Sequence, residues 1–151
     1  MVDFLGPLIG IAEHVPGLAS KAFARRVNRA LASLMYWSDG TIQPLQRMSS
    51  GNGSQADLDE IAHRLRTSQR EVEKAAIFLR SNRHRIAAAF GAGMAHRVDA
   101  AVESKMGTNQ VRDMLRFMVE GHDYSAHAGE CGLREVHCVN AIIKEIEIRP
   151  L

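Results

Sequence analysis

An unbroken alternation of three- and four-residue spacings runs through the middle of the chain. Positions spaced in this way fall on one stripe of an α-helix, and an apolar stripe of this kind must pack against other helices. The stretch 55–81 is therefore predicted to form one long helix with one buried side. The positions on its stripe, all but one of them apolar, are Leu58, Ile61, Leu65, Ser68, Val72, Ala75 and Leu79.

The same helical period recurs on both sides of this segment. An apolar stretch at 1–16 has helical spacing too, although two glycines and Pro16 weaken it. Gly, Pro, Ser or Asn, the residues that commonly begin and end helices, punctuate the pattern. The further helices are predicted at 17–37, 85–104, 108–120 and 132–147.

Three polar stretches are predicted to connect these helices. Residues 38–54 contain Pro44 and a Ser-Gly-Asn-Gly run, so we expect a connection there with a turn of helix at most. SNRHR at 81–85 is interpreted as a turn, and GHDYSAHAGECG at 121–132 as a loop. The glycines within 91–93 lie inside a helical pattern and are attributed to close packing of helices.

Length and composition favour a helical fold. Apolar residues make up 46% of the chain and aromatic residues only 5%, and Ala, Leu, Ile, Val and Met supply the apolar content. A chain of 151 residues supports one domain with a continuous core. We therefore expect an all-α, single-domain helical bundle of about five or six helices, built on a long helical hairpin. The bundle would also suit the amino-terminal module of a longer protein.

Charge is distributed unevenly, although the formal charge of the whole chain is only +2. Residues 63–97 carry eight Arg or Lys against Glu71 and Glu73, whereas residues 120–151 carry six acidic residues against three basic ones. The molecule is therefore expected to have a basic part and an acidic part.

Cys131 and Cys138 are predicted to be free thiols. On a helix they would be separated by about 10 Å, which is too far for an unstrained disulfide. Free thiols are typical of a reducing compartment, so we expect a cytoplasmic protein. No run of the sequence approaches the roughly 18 apolar residues of a membrane-spanning helix.

One group of side chains has the composition of a metal site. His127 and Cys131 would lie one helical turn apart, as two zinc ligands do, but the glycines at 129 and 132 argue against a helix there. The spacing also lacks the two close ligand pairs of the usual zinc pattern. We expect no metal, no cofactor and no enzymatic activity; a metal-binding protein or an enzyme is the third alternative. The full group is His122, Asp123, His127, Cys131, His137 and Cys138.

A basic face on the helix at 55–81 raises the alternative of nucleic-acid binding. Arg66, Arg70 and Lys74 are aligned opposite the apolar stripe. No aromatic side chain is interleaved with them, and acidic residues lie nearby, so a solvated helix face is the preferred interpretation. We expect no nucleic-acid partner.

The amino-terminal segment carries the functional prediction. It is more apolar than a surface helix requires, and its glycines make a helix there easy to detach. We expect it to insert into a membrane while the basic residues that follow bind anionic lipid head groups. The alternative is that it forms the first core helix and never leaves. The membrane-inserting residues would be Phe4, Leu5, Leu8, Ile9 and Ile11, and the head-group ligands Lys21, Arg25, Arg26 and Arg29.

The opening FLGPLIGIAEHVPGLA, followed by a helical bundle, resembles the HeLo and HeLo-like cell-death domains, which are related in plan to the bundle of the mixed-lineage kinase-like necroptosis executioners. The resemblance covers the whole chain in plan, without a residue-by-residue signature. It implies a membrane-permeabilising effector of innate immunity that oligomerises and moves from the cytoplasm to the inner face of the membrane. It also implies a sensor domain or partner protein that triggers assembly.

The second alternative is a helical adaptor or oligomerisation domain without membrane activity. In that case the stripe from Leu58 to Leu79, or the amino-terminal helix, would dock another protein.

Overall fold

The computed structural model describes residues 17–103 and 107–146, and within these ranges the chain forms seven α-helices, one π-helical turn and no β-strand. One hydrophobic core runs through the described helices, so the prediction of an all-α, single-domain bundle is confirmed. In chain order the elements are α1 (Gly17–Tyr36), α2 (Asp39–Arg47), the π turn (Met48–Asn52), α3 (Gln55–Ser81), α4 (Arg83–Phe90), α5 (Ala92–Glu103), α6 (Thr108–Glu120) and α7 (Ala126–Ile146).

The long helix α3 packs against α1, α2 and α6. All seven positions of its predicted stripe are buried, from Leu58 to Leu79. The predicted hairpin differs from the structure, because its second arm is divided into α4 and α5, which pack against each other. The predicted turn at 81–85 is a single residue, Asn82, which leaves the helical conformation between α3 and α4 (φ −104°, ψ 14°).

The end of α1 is tied to α3 by an arginine. Arg64 Nε donates a hydrogen bond to the Trp37 carbonyl at 2.7 Å, and its Nη2 donates to the Tyr36 carbonyl at 2.8 Å. The last carbonyls of a helix lack partners within the helix and carry partial negative charge, so a cation is favoured there. The Trp37 ring, 1% exposed, adds its own hydrogen bond from Nε1 to the Leu34 carbonyl at 2.7 Å.

The stretch 38–54 is far more helical than its composition predicted. It forms α2, which contains Pro44, and then the π turn, in which Gly51 adopts the left-handed φ of +87°. Leu45 and Met48 from this stretch are fully buried. Burial of such side chains against α3 and α7 contributes more than the low helix propensity of Gly and Pro costs.

The glycines at 91–93 do not have the role predicted for them. Gly91 separates α4 from α5 and has φ +97°, a backbone conformation that favours glycine. A Cβ added to Gly93 would meet nothing within 4 Å, so helix packing does not explain that residue. The single helix predicted at 85–104 is therefore interrupted.

Helix α7 begins earlier than the predicted residue 132. Gly129 and Gly132 lie inside it and are buried, because the helix packs directly onto the π turn and α2. A Cβ on Gly129 would lie 2.5 Å from the Ser49 backbone nitrogen, and one on Gly132 would lie 2.8 Å from Leu45. Two glycines that argued against a helix are instead the residues that let this helix approach its neighbours.

Two predictions fall outside the described residues. They are the amino-terminal helix at 1–16, with the membrane-inserting residues Phe4, Leu5, Leu8, Ile9 and Ile11, and the end of the chain from 147 to 151.

Candidate functional site

The predicted head-group ligands lie on α1. This helix contains Lys21, Arg25, Arg26 and Arg29 and no acidic residue. Its buried side comprises residues such as Phe23, Val27 and Leu34, and the period of the helix places the three arginines among its exposed residues. Lys21 is partly exposed.

Two arginines at this end of the molecule are held against aromatic rings. Phe23 contacts Phe78 of α3, with ring centroids 6.3 Å apart, and stacks on Phe90 of α4 at 6.0 Å. The Arg26 guanidinium lies 4.8 Å from the centre of the Phe78 ring, and that of Arg85 lies 4.0 Å from the Phe23 ring. Cation–π contacts of this kind restrict where a flexible cation can lie. The aromatic cluster therefore positions two positive charges at the surface.

A shallow cleft of about 210 Å³ separates α1 from α3 beside this cluster. We refer to it as the α1–α3 cleft. Its lining has three cations, Arg26, Arg29 and Lys74, and one carboxylate, Glu71. Among the described residues no carboxylate pairs with Arg25, Arg29 or Lys74 within 4 Å. The complete lining is Arg26, Arg29, Ala30, Ser33, Glu71, Lys74, Ala75 and Phe78.

The sequence did not indicate the whole basic cluster. Lys74 was grouped with Arg66 and Arg70 on a face without aromatic residues, yet Phe78, one turn beyond Lys74, lines the same cleft. That part of the prediction is wrong, because Phe78 lies next to the buried stripe and is only half-buried. Arg85 was missed since only the fold of α4 against α1 brings it to Phe23.

A second arginine-rich region lies where α3 meets α6. A groove of about 500 Å³, which we call the α3–α6 groove, has an apolar floor of Ala62, Leu65 and Val119. Arg116 crosses its edge, donating from Nη1 to the Asp113 carboxylate at 2.7 Å and from Nη2 to Gln69 Oε1 at 3.1 Å. The complete lining is Ala62, Leu65, Arg66, Gln69, Arg116, Val119 and Glu120.

Arg112 of α6 is buried behind this groove, 2% exposed. Its guanidinium donates to the Ser68 hydroxyl at 2.8 Å, the Leu65 carbonyl at 2.8 Å and Gln69 Oε1 at 2.9 Å, and it lies 4.9 Å from the centre of the Trp37 ring. All of these partners are neutral.

The Arg112 charge survives this burial. Burial, together with the positive charges of Arg116 and Arg64, lowers the pKa of the Arg112 guanidinium to about 10. The group is therefore still protonated at neutral pH. No carboxylate among the described residues lies within 4 Å of it. A protonated guanidinium with only neutral partners was not expected from the sequence, since arginine is rarely buried.

The His, Asp and Cys side chains considered as alternative metal ligands are spread along the acidic part of the chain. His127 Nε2 lies 3.6 Å from Cys131 Sγ on one side of α7, and Arg134 Nη2 lies 3.7 Å from the same sulfur. His122 turns away, with its Nδ1 3.1 Å from Gln55 Oε1. Over 17–103 and 107–146 no three His, Cys, Asp or Glu side chains are grouped to hold a metal ion. Both cysteines are free.

Comparisons with protein-family models, with curated proteins and with solved structures find no match to this chain. Among the helices that the structure describes, none combines the length and the apolar character needed to cross a bilayer.

Proposed function

We propose that this protein acts at an anionic membrane surface, where the basic side of α1 binds lipid head groups and the apolar residues at 1–16 enter the bilayer. The observation that carries the proposal is the composition of α1, which has four basic residues and no acidic one. Three of those basic residues are exposed. The helix directly follows the segment that contains Leu8 and Ile9.

The neighbouring elements add to this positive surface. Lys74 of α3 and Arg85 of α4 lie at the same aromatic cluster or cleft as Arg26, with Glu71 as the acidic residue in the lining. A surface that gathers several cations around one carboxylate suits a polyanionic partner, and a membrane rich in anionic lipid is such a partner.

Binding of one copy through the basic groups of α1 alone is weak, and several copies held together strengthen it. Each basic group near an anionic surface contributes about 1 kcal/mol, so α1 alone gives binding of roughly millimolar strength. Each of the five large apolar side chains adds about 1.5 to 3 kcal/mol if it is buried in lipid, against the cost of releasing the segment. We therefore propose that membrane binding is coupled to self-association, triggered by a sensor domain or partner protein, and that the assembled protein permeabilises the membrane as a cell-death effector.

Dye-filled vesicles test this proposal. The chain, clustered through a fused dimerising or tetramerising tag, should release dye from vesicles that contain anionic lipid and spare vesicles of neutral lipid. Replacing Leu8 and Ile9 by Glu, or deleting residues 1–16, should abolish the release while circular dichroism still shows a folded bundle.

A matched control tests whether the position of the two added glutamates matters, or only their charge. Ile77 and Phe117 are 58% and 79% exposed on α3 and α6, and replacing both by Glu adds the same two charges elsewhere. This variant should release dye like the wild-type chain. Clustered wild-type protein that leaves anionic vesicles intact would contradict the proposal.

An adaptor without membrane activity is less well supported. One of its two predicted docking surfaces, the stripe from Leu58 to Leu79, is buried inside the bundle, and the other, the amino-terminal helix, lies outside the described residues. A partner could reach that stripe only by opening the core, so an adaptor function would depend on another surface.

A further inference from the structure

We propose that the α3–α6 groove binds a small amphiphile that carries one carboxylate on an apolar chain. The proposal concerns a face of the bundle other than the α1 surface and is independent of membrane binding.

Arg112 brings a buried positive charge close to the groove. Arg112 is buried with a hydroxyl, a carbonyl and an amide oxygen as its hydrogen-bond acceptors. A buried cation is costly without an opposing charge, and truly isolated charges are avoided in protein interiors. Two of its acceptors belong to Leu65 and Gln69, which also line the groove. A carboxylate bound there would lie one residue layer from the Arg112 charge.

Two further arginines, Arg66 and Arg116, lie at the edge of the groove. Arg66 lines the groove and has no ion pair with any described carboxylate. Arg116 uses Nη1 for Asp113 and Nη2 for Gln69, which fixes its guanidinium at the edge and leaves further N–H donors on the same group. Arginine side chains bind carboxylates through paired N–H donors, so the two arginines together present a carboxylate-binding edge.

The floor of the groove suits a hydrocarbon chain. The groove has about 500 Å³ of space, within the range of small-molecule sites, and its floor is apolar. Apolar walls with a few charged groups at one edge are complementary to a ligand with an apolar chain and one charged head. An inorganic anion would leave the floor of Ala62, Leu65 and Val119 unfilled.

Two carboxylates oppose the ligand. Glu120 also lines the groove, and Asp113 already takes part of the Arg116 charge. Near Arg112, Glu73 accepts a hydrogen bond from Gln69 and is offset by Arg64. The balance, with Arg66, Arg116 and the buried Arg112 against the other two acids, is still positive. A single carboxylate therefore fits the groove better than a dianion or a cation.

Decanoate, kept below its critical micelle concentration, is the probe for this proposal. In ¹H–¹⁵N spectra of the full chain, decanoate should shift the amide signals of Ala62, Gln69 and Val119. The signals of Ala30 and Ser33 in the α1–α3 cleft should stay in place. Decanol and decyltrimethylammonium have the same chain with other head groups, and both should bind at least about fivefold more weakly than decanoate.

Two exposed-side variants test the arginines. Arg66→Gln should weaken decanoate binding about fivefold and Arg116→Gln by more, whereas Arg70→Gln, an exposed change on α3 outside the groove lining, should leave it unchanged. Because Arg66 has no described partner, its replacement leaves the fold intact even if Arg116→Gln does not. The proposal is overturned if decanol binds as tightly as decanoate, if the shifts fall in the α1–α3 cleft, or if decanoate does not bind.

Discussion

The α1–α3 cleft and the α3–α6 groove border the same helix, yet the arginines of the cleft are exposed whereas Arg112 behind the groove is buried. In the cleft, Arg26 lies outward on the Phe78 ring, and neither Arg26 nor Arg29 forms an ion pair with a carboxylate among the described residues. Behind the groove, Arg112 is turned inward and bonded to three neutral oxygens. An exposed arginine on a ring costs little folding free energy, and its charge stays available to a membrane surface. A buried arginine with neutral partners lowers the stability of the fold, but its charge is held in a fixed place.

The difference follows from which helix covers which half of α3. Helix α1 runs antiparallel to α3, since Arg26 meets Phe78 at one end and the Tyr36 carbonyl meets Arg64 at the other. Helix α6 lies against the first half of α3, where Arg112 reaches Leu65. Two basic residues that occupy one side of α3 in the sequence pattern, Arg66 and Lys74, therefore end in different grooves. Residues that share one face of a helix can therefore belong to different surfaces of the folded protein, because neighbouring helices divide that face.

The largest expected effect is a loss of stability when a residue near either end of the buried stripe on α3 is made charged. Leu65→Asp, under the groove, and Leu79→Asp, near the cleft end, should each destabilise the fold by several kcal/mol, comparable to the whole stability of a domain, because each buries an unpaired carboxylate. Urea denaturation followed by circular dichroism measures the loss. Arg70→Ala on the exposed side should be nearly silent. Melting of either Leu variant like the wild type would show that its end of the stripe is not core.

The second prediction compares two substitutions of Arg112 that change its volume and its charge to different extents. Arg112→Ala should cost about 2 to 4 kcal/mol because it leaves a cavity against Trp37. Arg112→Met fills most of that volume and removes the desolvated charge, so it should cost under about 1.5 kcal/mol. Equal losses from the two variants in urea denaturation would mean that the hydrogen bonds, and not the volume, hold α6 to α3.

The third prediction concerns the charge on the cleft side. Reversing Lys21, Arg25 and Arg29 to Glu should weaken binding to anionic vesicles by roughly 3 kcal/mol or more, at about 1 kcal/mol for each basic group, and the difference should shrink as salt rises. The thermal midpoint should stay near that of the wild type. Vesicle sedimentation over a salt series measures this effect.

The control for this third prediction has the same change in net charge. Arg66, Arg70 and Arg97 are exposed on α3 and α5, and reversing them should affect vesicle binding much less. Equal weakening by the two sets would mean that net charge matters and the α1 surface does not.

The smallest expected effect is the loss of stability when the cation–π contact between Arg26 and Phe78 is removed. Arg26→Gln should reduce stability by about 0.5 kcal/mol because it loses the contact with Phe78, while Arg25→Gln, next to it without such a ring, should have no measurable effect. A double-mutant cycle with Phe78→Leu isolates the pair. A coupling energy near zero would leave the aromatic cluster without a role in placing Arg26.

The sequence predicted the parts of this fold that depend on local period. The α3 stripe, the turn at Asn82 and the end of α6 at Gly121 follow from spacing and from residues that stop helices. It failed where tertiary contact overrides propensity, as at Pro44 inside α2 and at Gly129 inside α7.

The same limit applies to the candidate sites. The exposure of Arg25 and Arg29 could be predicted, because helical period places them opposite the apolar side of α1. The cleft and the groove could not, because each needs the pairing of α3 with a helix far away in sequence. The local sequence indicated the burial of Arg112 only through its position beside Val111, on the apolar side of α6. Arginine is usually exposed, so its burial was not predicted.

The packing of Gly129 on the π turn bears on how the chain folds while it is being made. The backbone at Ser49 and the side chain of Met48 are synthesised early, whereas the glycine that lies on them belongs to α7, the last described helix. A nascent chain gains structure from its amino terminus onward, but this contact joins parts of the chain that are far apart. We therefore expect the part of the core around Leu45 and Met48 to be completed only after α7 has been synthesised, because α7 packs on that stretch.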